Sequence, residues 1–271
     1  MQDIRIAAIT CDAPFGEIDH NLATAVEWAR KAKHAGAGWV CFPELNITGY
    51  CNHLDAPEMA LPIPGTVTDQ LCRLAQELDI VLMCGLAEHN PKGLPYAAHC
   101  VFTPEGDIQI YRKLHIAPPE KKTYSPGNHV RIFRAKGTCF GIQLCYDAHF
   151  PELTSVMTRK GVEVLFVPHA SPRGTAEEKH QSWRRHLTAR AYDNSIFVVA
   201  CNQIGENCNG LTFSGNAMVI GPSGDVIAAD TRPHPSMLIA DLKASDLADV
   251  RSHPMRHFFP NRRPEIYRCD H

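Results

Sequence analysis

The chain has 271 residues, of which 44% are hydrophobic, and its formal net charge at pH 7 is -2. This length and apolar content suffice for one large domain with a sizeable core, and the near-neutral charge argues against nucleic acid or a membrane surface as the main partner. No apolar run approaches the roughly 20 residues of a membrane span. The N-terminal stretch MQDIRIAAIT lacks the basic and apolar regions of a signal peptide. We therefore predict a cytoplasmic protein.

The cysteine pattern argues against covalent or metal cross-links. There are 11 cysteines, an odd number, and no CxxC pair occurs. A disulfide framework and a Cys-rich zinc site are both disfavoured by such spacing. Most of these thiols are expected to be reduced and buried as small apolar side chains. Six sit in or beside apolar runs: Cys11, Cys41, Cys84, Cys100, Cys139 and Cys201.

Apolar segments of strand length alternate with helical patterns along the chain. The predicted single strands are IRIAAIT, WVCFPE, IVLMCGLAE, VEVLFVP, IFVVAC and SMLIADL. Hairpins are predicted around Pro104–Asp107, Lys136–Gly137 and Pro222–Gly224. Helices are predicted for NLATAVEWARKAKHAG, TDQLCRLAQELD, PELTSVMTR and EEKHQSWRRHLTARAYDN.

This mixture of alternation and hairpins predicts one α/β domain with mixed sheets. No linker, repeat or low-complexity block divides the chain. We assign the domain to residues 1–260. A block rich in Pro, Arg and His from about Arg251 leads into a C-terminal tail, residues 261–271, that could pack on a partner subunit or be loose.

Three predicted strands end on polar residues of catalytic types. Glu44 ends WVCFPE, Lys113 ends IQIYRK and Cys145 ends FGIQLC. Functional sites of α/β proteins commonly assemble at the carboxyl ends of strands. A base, a cation and a thiol nucleophile together suffice for acyl transfer. Each residue alone has an ordinary structural explanation, but the set points to a hydrolytic site.

The residues around these three positions sharpen that interpretation. PELNITGY follows the first strand, KLHI the second and CYDAHFPE the third. With these contexts the chain resembles the nitrilase superfamily of carbon–nitrogen hydrolases, from the first strand to about Pro260. The resemblance implies a four-layer α-β-β-α sandwich and a Glu-Lys-Cys triad. It implies no metal or organic cofactor.

Carried over by position, the resemblance gives each residue a role. Cys145 is the expected nucleophile, Glu44 the general base and Lys113 the cation beside the tetrahedral intermediate. Glu120, in EKKTYSPGN, matches a supporting glutamate of the family. The backbone N–H of Tyr146 is the expected second oxyanion donor. Two departures from the family pattern, Asp193 in RAYDN and Asn216 in SGNAMVIGPSG, lie outside the triad.

Other polar residues near these motifs are candidates for substrate binding. They are Tyr50, His115, Tyr146, His149, His169 and Arg173. Arg173 could hold a substrate carboxylate through two hydrogen bonds, and Asp147 is expected to cap the turn after Cys145. His253 and His257 have helical metal-site spacing, but Pro254 lies between them and we predict no metal site. The chain contains no GxGxxG or GxxxxGK[ST] motif, so no nucleotide is implied.

The expected substrate is a small linear amide or carbamoyl compound. A nitrilase acting on C≡N and an N-carbamoyl amidohydrolase remain alternatives with the same triad. From a different class, a non-catalytic binding member of the fold is a further alternative, and so is a Cys–His pair formed with His149 or His169. CYD in place of the CWE usual in nitrilases favours the amide.

A homodimer or a higher homo-oligomer is also expected. In the resembled family, subunits join through helices beside the nucleophile strand, here residues 151–160 and 183–192. The apolar residues assigned to that contact are Leu153, Val156, Met157, Trp183, Leu187 and Ala191, with Phe258 and Phe259 of the C-terminal segment lying across the partner.

Overall fold

A computed structural model describes residues 1–53 and 56–266 and contains fourteen strands. In chain order they are β1 Ile4–Thr10, β2 Trp39–Cys41, β3 Val81–Glu88, β4 Tyr96–Phe102, β5 Ile108–Arg112, β6 Phe133–Ala135, β7 Thr138–Ile142, β8 Val164–His169, β9 Phe197–Asn202, β10 Ile204–Glu206, β11 Thr212–Ser214, β12 Ala217–Ile220, β13 Val226–Asp230 and β14 Ser236–Leu242. Together with five α-helices they form the predicted α/β domain.

The strands form two six-stranded mixed sheets and one small hairpin. The first sheet has the order β14-β1-β2-β3-β4-β5 and the second the order β13-β12-β9-β8-β7-β6. In each sheet three consecutive strands run parallel, β1-β2-β3 and β7-β8-β9, and the strands on either side of them pair antiparallel. β10 and β11 form the small hairpin, and Phe213 of β11 also makes an isolated bridge with Pro172 of the loop after β8.

Helices cover the outer faces of both sheets. They are α1 Ile18–His34, α2 Thr66–Leu78, α3 Pro151–Arg159, α4 Ala176–Asn194 and α5 Ala244–Ser252. The small residues Ala25 and Ala29 of α1 and Leu71 of α2 pack against the first sheet. Met157 of α3 and Leu187 of α4 belong to the cluster of the second sheet. Along each helix the buried residues recur at intervals of three or four, which places them on one side.

The two sheets pack face to face through large aromatic side chains. Trp39 of the first sheet lies edge-on to Phe140, with ring centroids 5.1 Å apart, and stacks on Phe166 at 6.1 Å. All three rings are buried. Such pairs contribute about 0.5–1.5 kcal/mol beyond the apolar area they bury. The four-layer α-β-β-α sandwich expected from the sequence is therefore confirmed.

The predicted strands are present, but three end earlier than expected. β2 ends at Cys41, β5 at Arg112 and β7 at Ile142, so Glu44, Lys113 and Cys145 lie in the turns that follow. These turn segments still bond to the neighbouring strands, since Phe42 N–H donates to Met83 O at 3.0 Å and Lys113 N–H donates to Ala97 O at 2.9 Å. β10, β11 and α5 were not predicted from the sequence.

The apolar side chains assigned to the subunit contact lie in the wrong place for it. Five of the six are buried in the chain's own core, namely Leu153, Met157, Trp183, Leu187 and Ala191. On the same helical layer Tyr192 is 48% exposed and Phe258 is 37% exposed, and their rings are 5.2 Å apart. Helical periodicity identifies an apolar side of a helix but does not say whether the sheet or a partner covers it.

Among the helices of the described ranges, none combines the length and the apolar character needed to cross a membrane.

Candidate active site

The turns after β2 and β5 and a 3₁₀ turn, Pro118–Glu120, bring three charged residues together. Glu44, Lys113 and Glu120 are each at least 95% buried. Lys113 Nζ donates to Glu44 Oε1 at 2.8 Å and to Glu120 Oε2 at 2.8 Å. Buried charges require such close partners, because an unpaired one costs several kcal/mol. Three of the four predicted catalytic residues thus form one connected ion-pair cluster.

Glu44 is held from both sheets. Its Oε2 accepts the N–H of Ala170, which follows β8, at 3.0 Å, and its backbone carbonyl accepts Gln203 Nε2 at 2.7 Å. Burial raises the pKa of the Glu44 carboxyl to about 7, and the nearby charge of Lys113 opposes that shift. A carboxyl with this pKa exchanges a proton readily at neutral pH.

Lys113 remains an ammonium despite its burial. Desolvation alone would lower its pKa, but the charges of Glu44 and Glu120 outweigh that effect and hold the pKa well above its ordinary value. The cation is therefore fixed between two carboxylates in a region that excludes water. Electrostatic interactions there are stronger than at the surface.

Glu120 is not the surface acid that its neighbours Lys121 and Lys122 could suggest. It makes hydrogen bonds through both carboxylate oxygens: Tyr50 OH donates to Oε1 at 3.0 Å and the N–H of Ala117 donates to Oε2 at 3.2 Å. Pro118 begins the 3₁₀ turn, where a proline needs no donor. These contacts orient Glu120 toward Lys113.

Cys145 begins a second 3₁₀ turn, Cys145–His149, and has a φ of +43°. Asp147, which is fully buried, fixes this turn: its Oδ2 accepts the N–H of Leu144 at 3.1 Å and the hydroxyl of Tyr111 at 2.8 Å. The capping role expected of Asp147 is confirmed. An abrupt change of backbone direction at Cys145 directs its thiol away from the strand and into a cavity.

Burial raises the pKa of the Cys145 thiol, and the carboxylate of Glu44 raises it further, while Lys113 opposes both. In the resting protein the thiol therefore keeps its proton at neutral pH. Attack on a substrate requires a base that accepts this proton as the bond forms. Glu44, with its pKa near neutrality, is suited to that step.

The cavity beside Cys145 has a volume of about 240 Å³. Five residues of the predicted site are on its wall: Tyr50, Glu120, Cys145, Tyr146 and Arg173. Several further residues of the wall come from distant loops and were not predicted from the sequence: Asn52, Ala117, Pro119, Pro172 and Leu211. Asn52 Oδ1 is buried and has no hydrogen-bond partner among the residues with described positions. No local motif marks these residues, because they meet only in the folded chain.

The three candidate histidines occupy other surroundings. His115 Nδ1 lies 2.8 Å from Asp147 Oδ1, and its ring stacks on Phe150 at 3.8 Å. His149 stacks on His186 at 4.5 Å. None of the three is among the residues that line the cavity in the described chain. A direct substrate contact by His115 or His149, as expected from sequence proximity, is not supported by this arrangement.

His169 is buried, its Nδ1 lies 2.7 Å from Val167 O, and its ring lies 4.2 Å from Trp183. Burial lowers the pKa of His169 well below its ordinary range, so the ring is neutral. It therefore supports the end of β8 from behind the cavity. The substrate contact expected of His169 is not supported either, because strand alternation turns this side chain toward α4.

The described residues contain no group of three His, Cys, Asp or Glu side chains arranged to hold a metal ion. His253 is the C-cap residue of α5, and its Nδ1 accepts the N–H of Met255 at 3.2 Å. Asn216, one of the departures from the family pattern, has a φ of +105° and is buried. Neither side-chain atom of Asn216 has a hydrogen-bond partner within the described ranges.

Known proteins share this fold and sequence pattern. A family model described as carbon–nitrogen hydrolase matches residues 5–252. N-carbamoylputrescine amidase from Solanum lycopersicum is 30% identical over 275 residues, which cover 93% of this chain and 90% of that protein. A nitrilase from Pyrococcus abyssi is 27% identical, with 97% of this chain and 99% of that protein covered. The solved amidase NitN from Nesterenkonia sp. AN1 superposes with a TM-score of 0.83 at 24% identity, covering 97% of this chain and 98% of that one.

Proposed function

Because the chain belongs to the carbon–nitrogen hydrolase family, we propose that it hydrolyses the C–N bond of a small linear amide through a thioester on Cys145. The observation that carries the proposal is the buried cluster of Glu44, Lys113 and Glu120 behind the cavity that Cys145 lines. A non-catalytic binding protein has no need for three buried charges next to a thiol, since their desolvation is costly.

In the first step the Cys145 sulfur bonds to the amide carbon while its proton passes to Glu44. The carbonyl π-electrons move onto oxygen and give a tetrahedral oxyanion. Lys113 Nζ and the backbone N–H of Tyr146 are the proposed donors to this oxygen. Loss of one such donor costs other enzymes about 2.7–4 kcal/mol of transition-state stabilisation.

In the second step the C–N bond breaks and its electrons go to nitrogen. The nitrogen takes the proton held by Glu44 and leaves as ammonia or an amine, and the acyl group stays on sulfur. Water then attacks the thioester carbon and gives a proton to Glu44. The C–S bond breaks, the carboxylic acid leaves, and the sulfur recovers a proton.

Glu120 is proposed to keep Lys113 charged and oriented without exchanging protons with the substrate. It contacts Lys113 through both oxygens, at 3.1 and 2.8 Å, and the Tyr50 hydroxyl occupies a further lone pair. Because the charge of Glu120 also raises the pKa of Lys113, transfer of the ammonium proton to Glu44 is unfavourable. The cation is then available in every step.

The cavity favours a small substrate. Its volume of about 240 Å³ admits a short chain, and Arg173 is at the rim with an exposed guanidinium that could pair with a carboxylate. The Asn52 Oδ1, which has no partner within the described part of the chain, could accept an N–H of the substrate. An N-carbamoyl compound is the second candidate, which Arg173 and the similarity to N-carbamoylputrescine amidase favour. A nitrile is the third candidate, since one similar protein carries the name nitrilase.

Competition between matched substrates tests the choice of bond. The experiment compares kcat/KM for three substrates that carry the same side chain: a carboxamide, an N-carbamoyl compound and a nitrile. Ammonia release is the readout. We expect the carboxamide or carbamoyl compound to be preferred. A nitrile preferred over both by tenfold, about 1.4 kcal/mol in transition-state binding, would overturn the assignment.

We further propose that the chain acts as a cytoplasmic homodimer or higher homo-oligomer. The exposed rings of Tyr192 and Phe258 lie together on the outer face of the second sheet, and Met255 nearby along the chain is also exposed. Apolar side chains grouped in this way are typical of surfaces that a partner covers. Residues 1–260 are proposed as the catalytic domain and residues 261–271, of which 267–271 lie outside the described residues, as a C-terminal tail.

A further inference from the structure

One wall of the cavity is a short loop after β8, residues 170–173. Its backbone is tied to three parts of the fold. The N–H of Ala170 donates to Glu44, that of Ser171 to Asn202 Oδ1 at 2.9 Å, and that of Arg173 to Thr212 O at 2.9 Å. A displacement of this loop would move Glu44 and the cavity wall together.

Lys179, in the first part of α4, reaches back to this loop. Its Nζ donates to Ser171 Oγ at 2.5 Å and to Pro172 O at 2.9 Å. Ser171 and Pro172 both line the cavity. Because the N-terminal end of a helix carries partial positive charge, a lysine near it is disfavoured. Its half-buried position there indicates that these contacts outweigh the unfavourable location.

The charges around Cys145 determine how a cation at Lys179 could stabilise the Cys145 thiolate. Within the ion-pair cluster two carboxylates, Glu44 and Glu120, face a single ammonium, Lys113. Loss of the Cys145 proton to solvent, as in alkylation of the resting thiol, adds one more negative charge to a cluster that already carries an excess of one. Opposite charge brought near an anion lowers its free energy, and this effect is strong where water is excluded.

Lys179 supplies that second positive charge. Its charge lowers the pKa of the Cys145 thiol, against the larger opposing effects of burial and Glu44. Burial lowers the pKa of Lys179, while Cys145 and Glu178 raise it. The remaining groups that act on these two are Lys113 and Glu120 on the thiol and neutral His169 beside Lys179.

We propose that Lys179 is a positioning residue of the reaction, which fixes the Ser171–Pro172 wall and stabilises the Cys145 thiolate as the site's second cation. The inference rests on the proposed function in that Cys145 is the nucleophile. The sequence motifs of the first sheet do not predict this role, because Lys179 acts from α4 through the loop after β8.

The test measures alkylation of Cys145 by iodoacetamide in the resting protein, without substrate. Rates are followed against pH by mass spectrometry of the Cys145 peptide, and the exposed Cys208 serves as an internal reference. In Lys179→Met we expect the thiol to titrate at higher pH and the rate at pH 7 to fall by about threefold or more, since one pKa unit is tenfold in thiolate. The Cys208 rate stays unchanged.

Two further variants separate charge from loop anchoring. Lys179→Arg keeps the charge and should restore most of the alkylation rate. Ser171→Ala removes one hydrogen bond and keeps the charge, so it should raise KM without moving the pH profile of alkylation. Should Lys179→Met fail to fold, Lys179→Gln provides the same neutral comparison.

A Lys179→Met profile that superimposes on the wild-type one would overturn the proposal, as would an equal shift in Ser171→Ala. These outcomes are independent of turnover. If Cys145→Ala retained activity, the proposed function would fail while the alkylation result still reported on Lys179.

Discussion

The backbone N–H of Ala170 donates a 3.0 Å hydrogen bond to Glu44 Oε2. Glu44 follows a strand of the first sheet, and Ala170 follows a strand of the second. The proposed general base is therefore oriented by both halves of the sandwich. Slippage of one sheet against the other would misplace it, so the packing of Trp39 against Phe140 and Phe166 bears directly on the site.

Cys145→Ala is expected to abolish turnover and leave the fold intact, because the substitution removes one sulfur atom beside an open cavity. Activity is measured at saturating substrate, and folding by circular dichroism. Cys208→Ala, which changes an exposed thiol, is the control and should retain full activity. Wild-type protein quenched during turnover should carry an acyl mass on the Cys145 peptide. Turnover near the wild-type rate in Cys145→Ala contradicts the assignment.

The acidic side of the pH–rate profile should report Glu44. Since burial raises the pKa of Glu44 to about 7, its protonated form cannot accept the thiol proton, and kcat/KM should fall as the pH drops below about 7. Glu44→Gln should lose at least ~100-fold in kcat at every pH. A wild-type kcat/KM that is constant between about pH 5 and 8 would exclude Glu44 as the base.

The same shift has a consequence for stability. The folded-state pKa of Glu44 lies above the ordinary 4.5, so between these two values the folded protein binds more protons than the unfolded chain. The free energy of unfolding should therefore decrease as pH rises from about 4.5 to 7, and Glu44→Gln should weaken that dependence. Urea unfolding at several pH values measures how the free energy of unfolding changes with pH in the wild-type protein and in Glu44→Gln. The same change with pH in both proteins would contradict the expectation.

Lys113→Met should lower kcat by at least ~100-fold, through loss of the oxyanion donor. It should also destabilise the protein by about 3–5 kcal/mol, because two buried carboxylates lose their cation. The double variant Lys113→Met/Glu120→Gln should recover part of the stability but none of the activity. Lys122→Met, at an exposed position, is the matched control. Recovery of activity in the double variant would show that Lys113 has only a structural role.

Gly85 of β3 lies directly under the turn that carries Glu44. A Cβ at Gly85 would approach Leu45 N to 2.3 Å and His99 Nδ1 to 2.9 Å. Gly85→Ala should therefore push that turn away, costing roughly 1–3 kcal/mol of stability and most of the activity. Gly38→Ala, where a Cβ meets nothing within 4 Å, is the control. Thermal unfolding measures the loss of stability, and kcat measures the loss of activity. Equal stability and activity in Gly85→Ala and Gly38→Ala would contradict the close approach.

The association state is tested at the exposed rings of α4 and the C-terminal segment. Light scattering of the wild-type protein at micromolar concentration should give at least twice the chain mass of 30.1 kDa. Tyr192→Asp should shift the mass toward one chain, because a charge is costly in an apolar contact. Ala23→Asp, on the exposed side of α1, should leave the mass unchanged. A wild-type mass of one chain contradicts the proposal.

Local motifs in the sequence predicted much of the fold. The alternation of strands and helices identified the α/β class, and the surroundings of Glu44, Lys113 and Cys145 identified the carbon–nitrogen hydrolase family, which is confirmed. Both depend on residues close in the chain. The cluster geometry of Glu44, Lys113 and Glu120 agrees with the roles expected for them, which remain predictions.

Features that depend on distant packing were not predictable in this way. Lys179 reaches the loop after β8 from α4, and Asn52 and Leu211 meet the cavity from opposite halves of the chain. His115, His149 and His169 are near the motifs in sequence, yet packing turns them elsewhere. The side chains of α3 and α4 are apolar for burial under the sheet, which periodicity cannot distinguish from burial under a partner.

At Cys145 the requirements of activity and of stability conflict, because the backbone there is left-handed. With a φ of +43°, any side chain at this position costs about 1 kcal/mol relative to glycine. Glycine would relax the turn and remove the thiol at once. Selection for heat resistance alone would therefore favour glycine at residue 145 and yield an inactive protein. Selection for turnover retains a cysteine that the backbone conformation disfavours.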